Sequence, residues 1–199
     1  EGSVSKLVVP IAAAEGLTWM ATDEDVLARS LGEPLPRDGD GLPLRPDVLY
    51  RPYDVQAGGA RIRVLFRDHH LSDRIGFVYQ SWEPHHAADD FLWRVRESAR
   101  RFAQVSPDEV PTIAVILDGE NAWEHYVGGG RPFLRELYGR LQAAADIETV
   151  TMADAAQAPA RTLDQLFPGS WIHADFYIWA GHRDDQRAWT WISQARAVF

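Results

Sequence analysis

Five apolar residues in succession, Ile113 to Leu117, lead straight into Asp118-Gly119-Glu120-Asn121. A run of this kind reads as a strand buried on both faces, as in a parallel sheet covered by helices. Leu17 to Thr22 forms a second strand pattern, ending at Asp23-Glu24-Asp25, and Asp25 to Leu31 predicts a short helix closed by Gly32. Ahead of it, Lys6 to Ala14 is apolar, and Pro10 argues against a long helix while suiting a helix start. Glu33 to Gly59 is rich in proline and glycine and reads as a long excursion with a short strand around Val48 to Tyr53. Arg61 to Phe66 alternates as a strand does and ends in Arg67-Asp68-His69-His70.

Helical spacing dominates the chain beyond His70. Leu71 to Trp82 reads as helical, with Ser72 as N-cap. From Ala87 to Gln104, Phe91, Val95, Ala99 and Phe102 recur at the helical period opposite Arg94, Glu97 and Arg101. Phe133 to Ala145 is amphipathic through Phe133, Leu137 and Leu141. Ile147 to Met152 is a further strand pattern, and Asp184 to Phe199 predicts a helix with Trp189, Ile192 and Phe199 on its apolar face. Strands alternating with helices imply an α/β fold with a parallel sheet or barrel, in a single domain.

Composition changes this picture in three ways. The net charge of −9 argues against nucleic acid or an anionic membrane as the main partner, and no apolar run reaches the roughly 20 residues that span a bilayer. A chain without cysteine has neither disulfides nor thiolate chemistry. Eight Trp, six Tyr and eight Phe exceed what a core of this size needs, so some can serve as flat platforms for a ligand. The start at Glu1-Gly2-Ser3, without Met, reads as an internal piece of a longer protein, for which a cytoplasmic address is favoured.

Ligands of α/β sheets bind at the carboxyl ends of the strands. Polar residues cluster at three predicted strand ends: Asp23 to Asp25, Asp68 with His69, and Asp118 with Glu120 and Asn121. The plain alternative is that such acids cap the following helices. Trp123 opens the segment after the last cluster, and Trp171 and Trp179 are further candidates for a flat ligand platform. His173 and Asp175, one residue apart, have a spacing that metal ligands can show.

Three segments together resemble glycoside hydrolase family 57, whose members are retaining enzymes acting on α-glucans. Glu1-Gly2-Ser3-Val4-Ser5, with the strand ending at Thr22-Asp23-Glu24, resembles the family region that carries the nucleophilic glutamate. Ile116 to Glu124 (ILDGENAWE) resembles the region whose aspartate before a glycine is the acid/base. Gly169-Ser170-Trp171-Ile172, continuing through Trp179-Ala180-Gly181-His182 to Trp189, resembles a later region of aromatic and polar contacts. Arg67-Asp68-His69 matches a stretch found in a bacterial subgroup described as α-amylase or α-mannosidase related.

The resemblance implies Glu1 as nucleophile and Asp118 as acid/base. Asp68, His69, Glu120, Asn121, Trp123, Trp171 and Trp179 would contact an α-glucan or malto-oligosaccharide, with no cofactor and no metal. It also implies an incomplete (β/α)7 TIM-like barrel, the second half of the barrel plus the start of a C-terminal helical segment. The partner of residues 1–199 would then be the missing N-terminal half. Such chemistry needs two carboxyl groups about 5–5.5 Å apart. Two other readings compete. One is a metal-dependent barrel hydrolase, of the α-mannosidase or polysaccharide deacetylase type, using Asp68, His69, His173 or Asp175. The other is a non-catalytic glucan-binding module.

Overall fold

The computed structural model describes residues 2–119 and 122–198. The chain begins with helix α1 (Val8–Ala14), which starts just before Pro10, and strand β1 (Trp19–Asp23). Helix α2 (Glu24–Leu31) follows without a loop because Asp23 caps it: its Oδ1 accepts from the Asp25 amide at 2.9 Å. The excursion holds a short helix α3 (Pro46–Leu49) and then strand β2 (Tyr53–Ala57), so the strand forms several residues later than the Val48 to Tyr53 predicted. Pro46 at the first turn of α3 favours helix there, since its missing N–H costs nothing at that position. Strand β3 (Ala60–Arg67) returns antiparallel to β2 through Gly58-Gly59, both in the left-handed region that a two-residue hairpin turn requires.

Helix α4 (His69–Asp73) is capped by Asp68, whose Oδ1 accepts from the Leu71 amide, rather than by Ser72. A π turn (Arg74–Val78) and a 3₁₀ turn (Tyr79–Ser81) lead into the long helix α5 (Pro84–Val105). Three glycines with positive φ precede helix α6 (Arg131–Ala143). Then come α7 (Met152–Ala155), the two-residue strand β4 (Arg161–Thr162), α8 (Tyr177–Ala180) and α9 (Arg183–Arg196). The predicted strand at Ile147 to Met152 is not formed; its last residue opens α7, under the Thr151 cap.

The sheet is mixed, in the order β1-β3-β2-β4, with β1 and β3 parallel and β2 antiparallel to β3. The expectation of an all-parallel sheet is corrected by that hairpin. One core lies on the sheet and gathers Val26, Leu27, Tyr50, Tyr53, Val55, Ile62, Val64, Phe66 and Phe102. A second lies among α4, α5 and α6, around Leu71, Ile75, Tyr79, Phe91, Phe133 and Leu137. Phe91 and Phe102 of α5 thus serve different cores, and Arg94, predicted on the polar face, is buried, its Nε bound to Asp90 at 2.8 Å.

Ile113 to Leu117 is extended but is not a strand buried on both faces. It pairs with β3 through one bridge, Arg67 with Ala114, and only Ala114 is buried. The cause is where β3 stops. After Arg67 the chain turns into the cap of α4, so no strand remains for a ladder. The segment instead gives its Ala114 carbonyl to the Asp68 amide (2.8 Å) and its Ile116 amide to Ser72 Oγ (3.2 Å). Ile113, Val115 and Leu117 lean on the helical core. The expected apolar face of α9 is also uncovered, with Trp189 54% and Ile192 59% exposed; Phe199 lies outside the described residues. Among the described residues no helix is long and apolar enough to cross a membrane.

Candidate active site

The parallel strands β1 and β3 end side by side, with Asp23 in register with Arg67. This puts an aspartate with no exposed side-chain surface against a guanidinium, Arg67 Nε donating to Asp23 Oδ2 at 2.6 Å. His69, two residues on, shares the same oxygen from Nδ1 at 2.9 Å and meets Asp73 Oδ2 from Nε2 at 2.9 Å. Hydrogen bonds to these two carboxylates raise the His69 pKa to about 10, against the opposing effect of burial. His69 is therefore an imidazolium at neutral pH. Burial pushes the Asp23 carboxyl up, but the bond and charge of His69, the Asp25 amide and Arg67 together hold it below its usual value.

Beneath this pair lies a buried ion network. Arg37, from the excursion, donates Nε to Glu24 Oε1 (2.9 Å) and Nη2 to Glu24 Oε2 and to Asp68 Oδ1 (2.8 Å). Tyr50 Oη donates to Asp68 Oδ2 at 2.6 Å, and the His69 amide donates to Glu24 Oε2 at 3.1 Å. Burial raises the Glu24 pKa, with the charge of Asp68 adding to it and Arg37 opposing. Burial opposes the Arg37 shift, yet Asp68 and Glu24 raise its pKa. The excursion is thus an arm that carries a cation under the strand ends.

Two further parts of the chain reach the same place. Thr22 Oγ1 donates to the Gly2 carbonyl at 2.6 Å, and the Val4 amide donates to the Gly169 carbonyl at 2.8 Å. Gly2 lies so close to Trp171 that a Cβ would sit 3.3 Å from its Cε3. The Arg67 guanidinium stands 5.1 Å from the Trp171 ring centre and reaches the Ile116 carbonyl with Nη1 at 3.4 Å. Two residues on, Asp118 is half-buried.

The candidates separate accordingly. Asp118, His69 and Trp171 belong to segments that meet at the ends of β1 and β3. Asp68 does too, and it is buried, bonded to Arg37, Tyr50 and the Leu71 amide. Trp123 packs edge-on to Tyr126 (5.4 Å between ring centres) and under Gly130, where a Cβ would come within 2.6 Å of it. Trp123 is partly buried and packs against the helical core. Trp179 sits in α8, its carbonyl accepting from the Trp189 indole at 2.9 Å. Glu1, Glu120 and Asn121 lie outside the described residues. Sequence reasoning missed Thr22, Arg37, Tyr50, Arg67 and Asp73. Arg67 had a legible signal in its place just past a strand; Arg37 and Tyr50, inside the excursion, had none.

Among the described residues, His173 and Asp175 join no cluster of metal-ligand type. His173 gives its carbonyl to Arg29, and Asp175 Oδ1 accepts from the Tyr177 amide. Among the described residues, Asp23, Asp25 and His69 do place ligand atoms within 4.8 Å of one another. Asp23 Oδ2 in this group is bonded to Arg67 Nε and to His69 Nδ1.

The family model for glycosyl hydrolase family 57 matches residues 1–170. The chain belongs to that family. Membership supports glycoside hydrolase or transglycosidase activity on glucans. The match takes in β1 to β4, Asp118, Gly169 and Ser170, and ends just before Trp171 and the α8–α9 hairpin. No curated protein matches this chain.

Proposed function

We propose that this family 57 protein is a retaining glycosidase or 4-α-glucanotransferase acting on α-glucans or malto-oligosaccharides, with Glu1 as nucleophile and Asp118 as acid/base. One observation carries the reading. The backbone beside each acid is held at the same strand ends, Gly2 by Thr22 and Ile116 by Arg67, with Trp171 against both Gly2 and Arg67.

In the first step a Glu1 carboxylate oxygen bonds to the anomeric carbon as the glycosidic bond breaks, and Asp118 gives its proton to the departing oxygen. In the second, Asp118 takes a proton from water or an acceptor hydroxyl, whose oxygen displaces Glu1. No cofactor enters. Arg67, His69 and Asp23 fix the floor of the site, and the edges of Trp171 and His69 are the sugar contacts. The sheet would form the second half of a (β/α)7 barrel, completed by strands upstream of Glu1, and activity belongs to the completed barrel.

The test uses the full-length protein, an aryl malto-oligoside and azide. Asp118→Asn should lose turnover of unactivated glucan and yield α-glycosyl azide by attack on the glycosyl-enzyme. Glu1→Gly should yield β-glycosyl azide by direct displacement. Retention of wild-type turnover in both variants would overturn the reading.

A further inference from the structure

The first described residues are tied down from two sides that are distant in sequence. Thr22 is buried, and its hydroxyl donates to the Gly2 carbonyl at 2.6 Å. Gly2 has φ of +60°, a conformation that side chains disfavour, and the space a Cβ would take is bounded by Cβ, Cδ2 and Cε3 of Trp171 at 3.3–3.4 Å. Val4 and Gly169 exchange both backbone hydrogen bonds, at 2.8 and 3.1 Å. The segment carrying Trp171 is itself fixed, since the buried Ser170 hydroxyl donates to the Asp175 carbonyl at 2.8 Å and accepts from the Ile172 amide at 3.1 Å.

Neither Thr22 nor Trp171 needs this arrangement for the sheet. The pairing of Thr22 with Phe66 is a backbone pairing. The hydroxyl instead spends its one donor on a carbonyl at the very start of the described chain, next to the site. Gly2 is bonded directly to Glu1 in the chain, so the backbone these contacts hold adjoins the proposed nucleophile.

We infer that Thr22 and Trp171 are positioning residues that set the attack geometry of Glu1, Thr22 by its hydrogen bond to the Gly2 carbonyl and Trp171 by packing on the Gly2 backbone. The inference rests on Glu1 being the nucleophile. It assigns Trp171 a role toward the protein backbone in addition to any sugar contact at its edge. A displacement of about 1 Å at a reacting group can lower a rate on the order of 100-fold.

The experiment compares Thr22→Val, Thr22→Ser and Trp171→Phe with wild type and Glu1→Gln in the full-length protein, on an aryl malto-oligoside. Thr22→Val keeps the volume and removes the donor. It should lower kcat by roughly 10- to 100-fold with KM changed less than about twofold, and Thr22→Ser should restore kcat to within about threefold of wild type. Trp171→Phe should lower kcat more than it raises KM. Melting temperatures identify any variant that fails to fold, and the Ser variant then carries the comparison. Wild-type kcat in Thr22→Val, or equal losses in the Val and Ser variants, would overturn the inference while leaving Glu1 in place if Glu1→Gln is inactive. An active Glu1→Gln would overturn the nucleophile assignment instead.

Discussion

Asp23 and His69 meet at 2.9 Å across the ends of two parallel strands, and the same aspartate oxygen takes the Arg67 Nε at 2.6 Å. The strand register makes this meeting: pairing Asp23 with Arg67 brings His69, two residues further on, over the end of β1. One carboxylate therefore anchors two cations, and Asp73 balances the second charge.

That arrangement makes stability fall as pH becomes alkaline. The His69 pKa rises from 6.5 to about 10 on folding, so the folded state binds a proton that the unfolded chain releases. The contribution is complete below pH 6.5 and is lost as pH rises towards 10. Urea midpoints of wild type and His69→Gln should differ most at pH 6 and converge by pH 10. A gap independent of pH would contradict the imidazolium.

Removing Arg37 should be severe. It leaves the buried carboxylates of Glu24 and Asp68 without their shared cation. Arg37→Met is expected to lose about 3–5 kcal/mol in denaturant unfolding, whereas Tyr50→Phe, which removes one donor to Asp68, should lose about 1–3 kcal/mol.

Gly2→Ala should act twice, through a left-handed backbone that costs about 1–2 kcal/mol and through contact with Trp171 at 3.3 Å. Reduced kcat with a small fall in melting temperature is the expected pattern; unchanged kcat would show that this contact does not govern the site.

Phe102→Ala empties a buried position in the sheet core and should cost about 3–5 kcal/mol. Trp191→Ala, on the uncovered α9, should stay within about 0.5 kcal/mol. Denaturant titration separates the two. Comparable losses would mean that α9 is packed in solution.

Local patterns were legible where local physics decides. The period of Phe91 and Phe102 marked α5, the alternation of Arg61 to Phe66 marked β3, and Gly32 closed α2. Ile113 to Leu117 misled because five apolar residues report burial on average, not the presence of a neighbouring strand. Asp68 is a related case. A strand-end aspartate suits a site and an N-cap equally well, and its bonds to Tyr50 and Arg37, brought in from the excursion, follow no local pattern. Trp123 was weighed as platform against packing, and its contacts with Tyr126 and Gly130 supply the packing. These contacts join residues with no pattern in common, so no periodicity reports them.

The most direct measurement traps the glycosyl-enzyme. The full-length protein would be incubated with a 5-fluoro-α-glucosyl fluoride, digested, and its labelled peptide located by mass spectrometry. One glucosyl group on Glu1, absent from the Glu1→Gln variant, is the predicted result. A label on another carboxylate such as Asp25 or Asp73, with Glu1 unmodified, would contradict it.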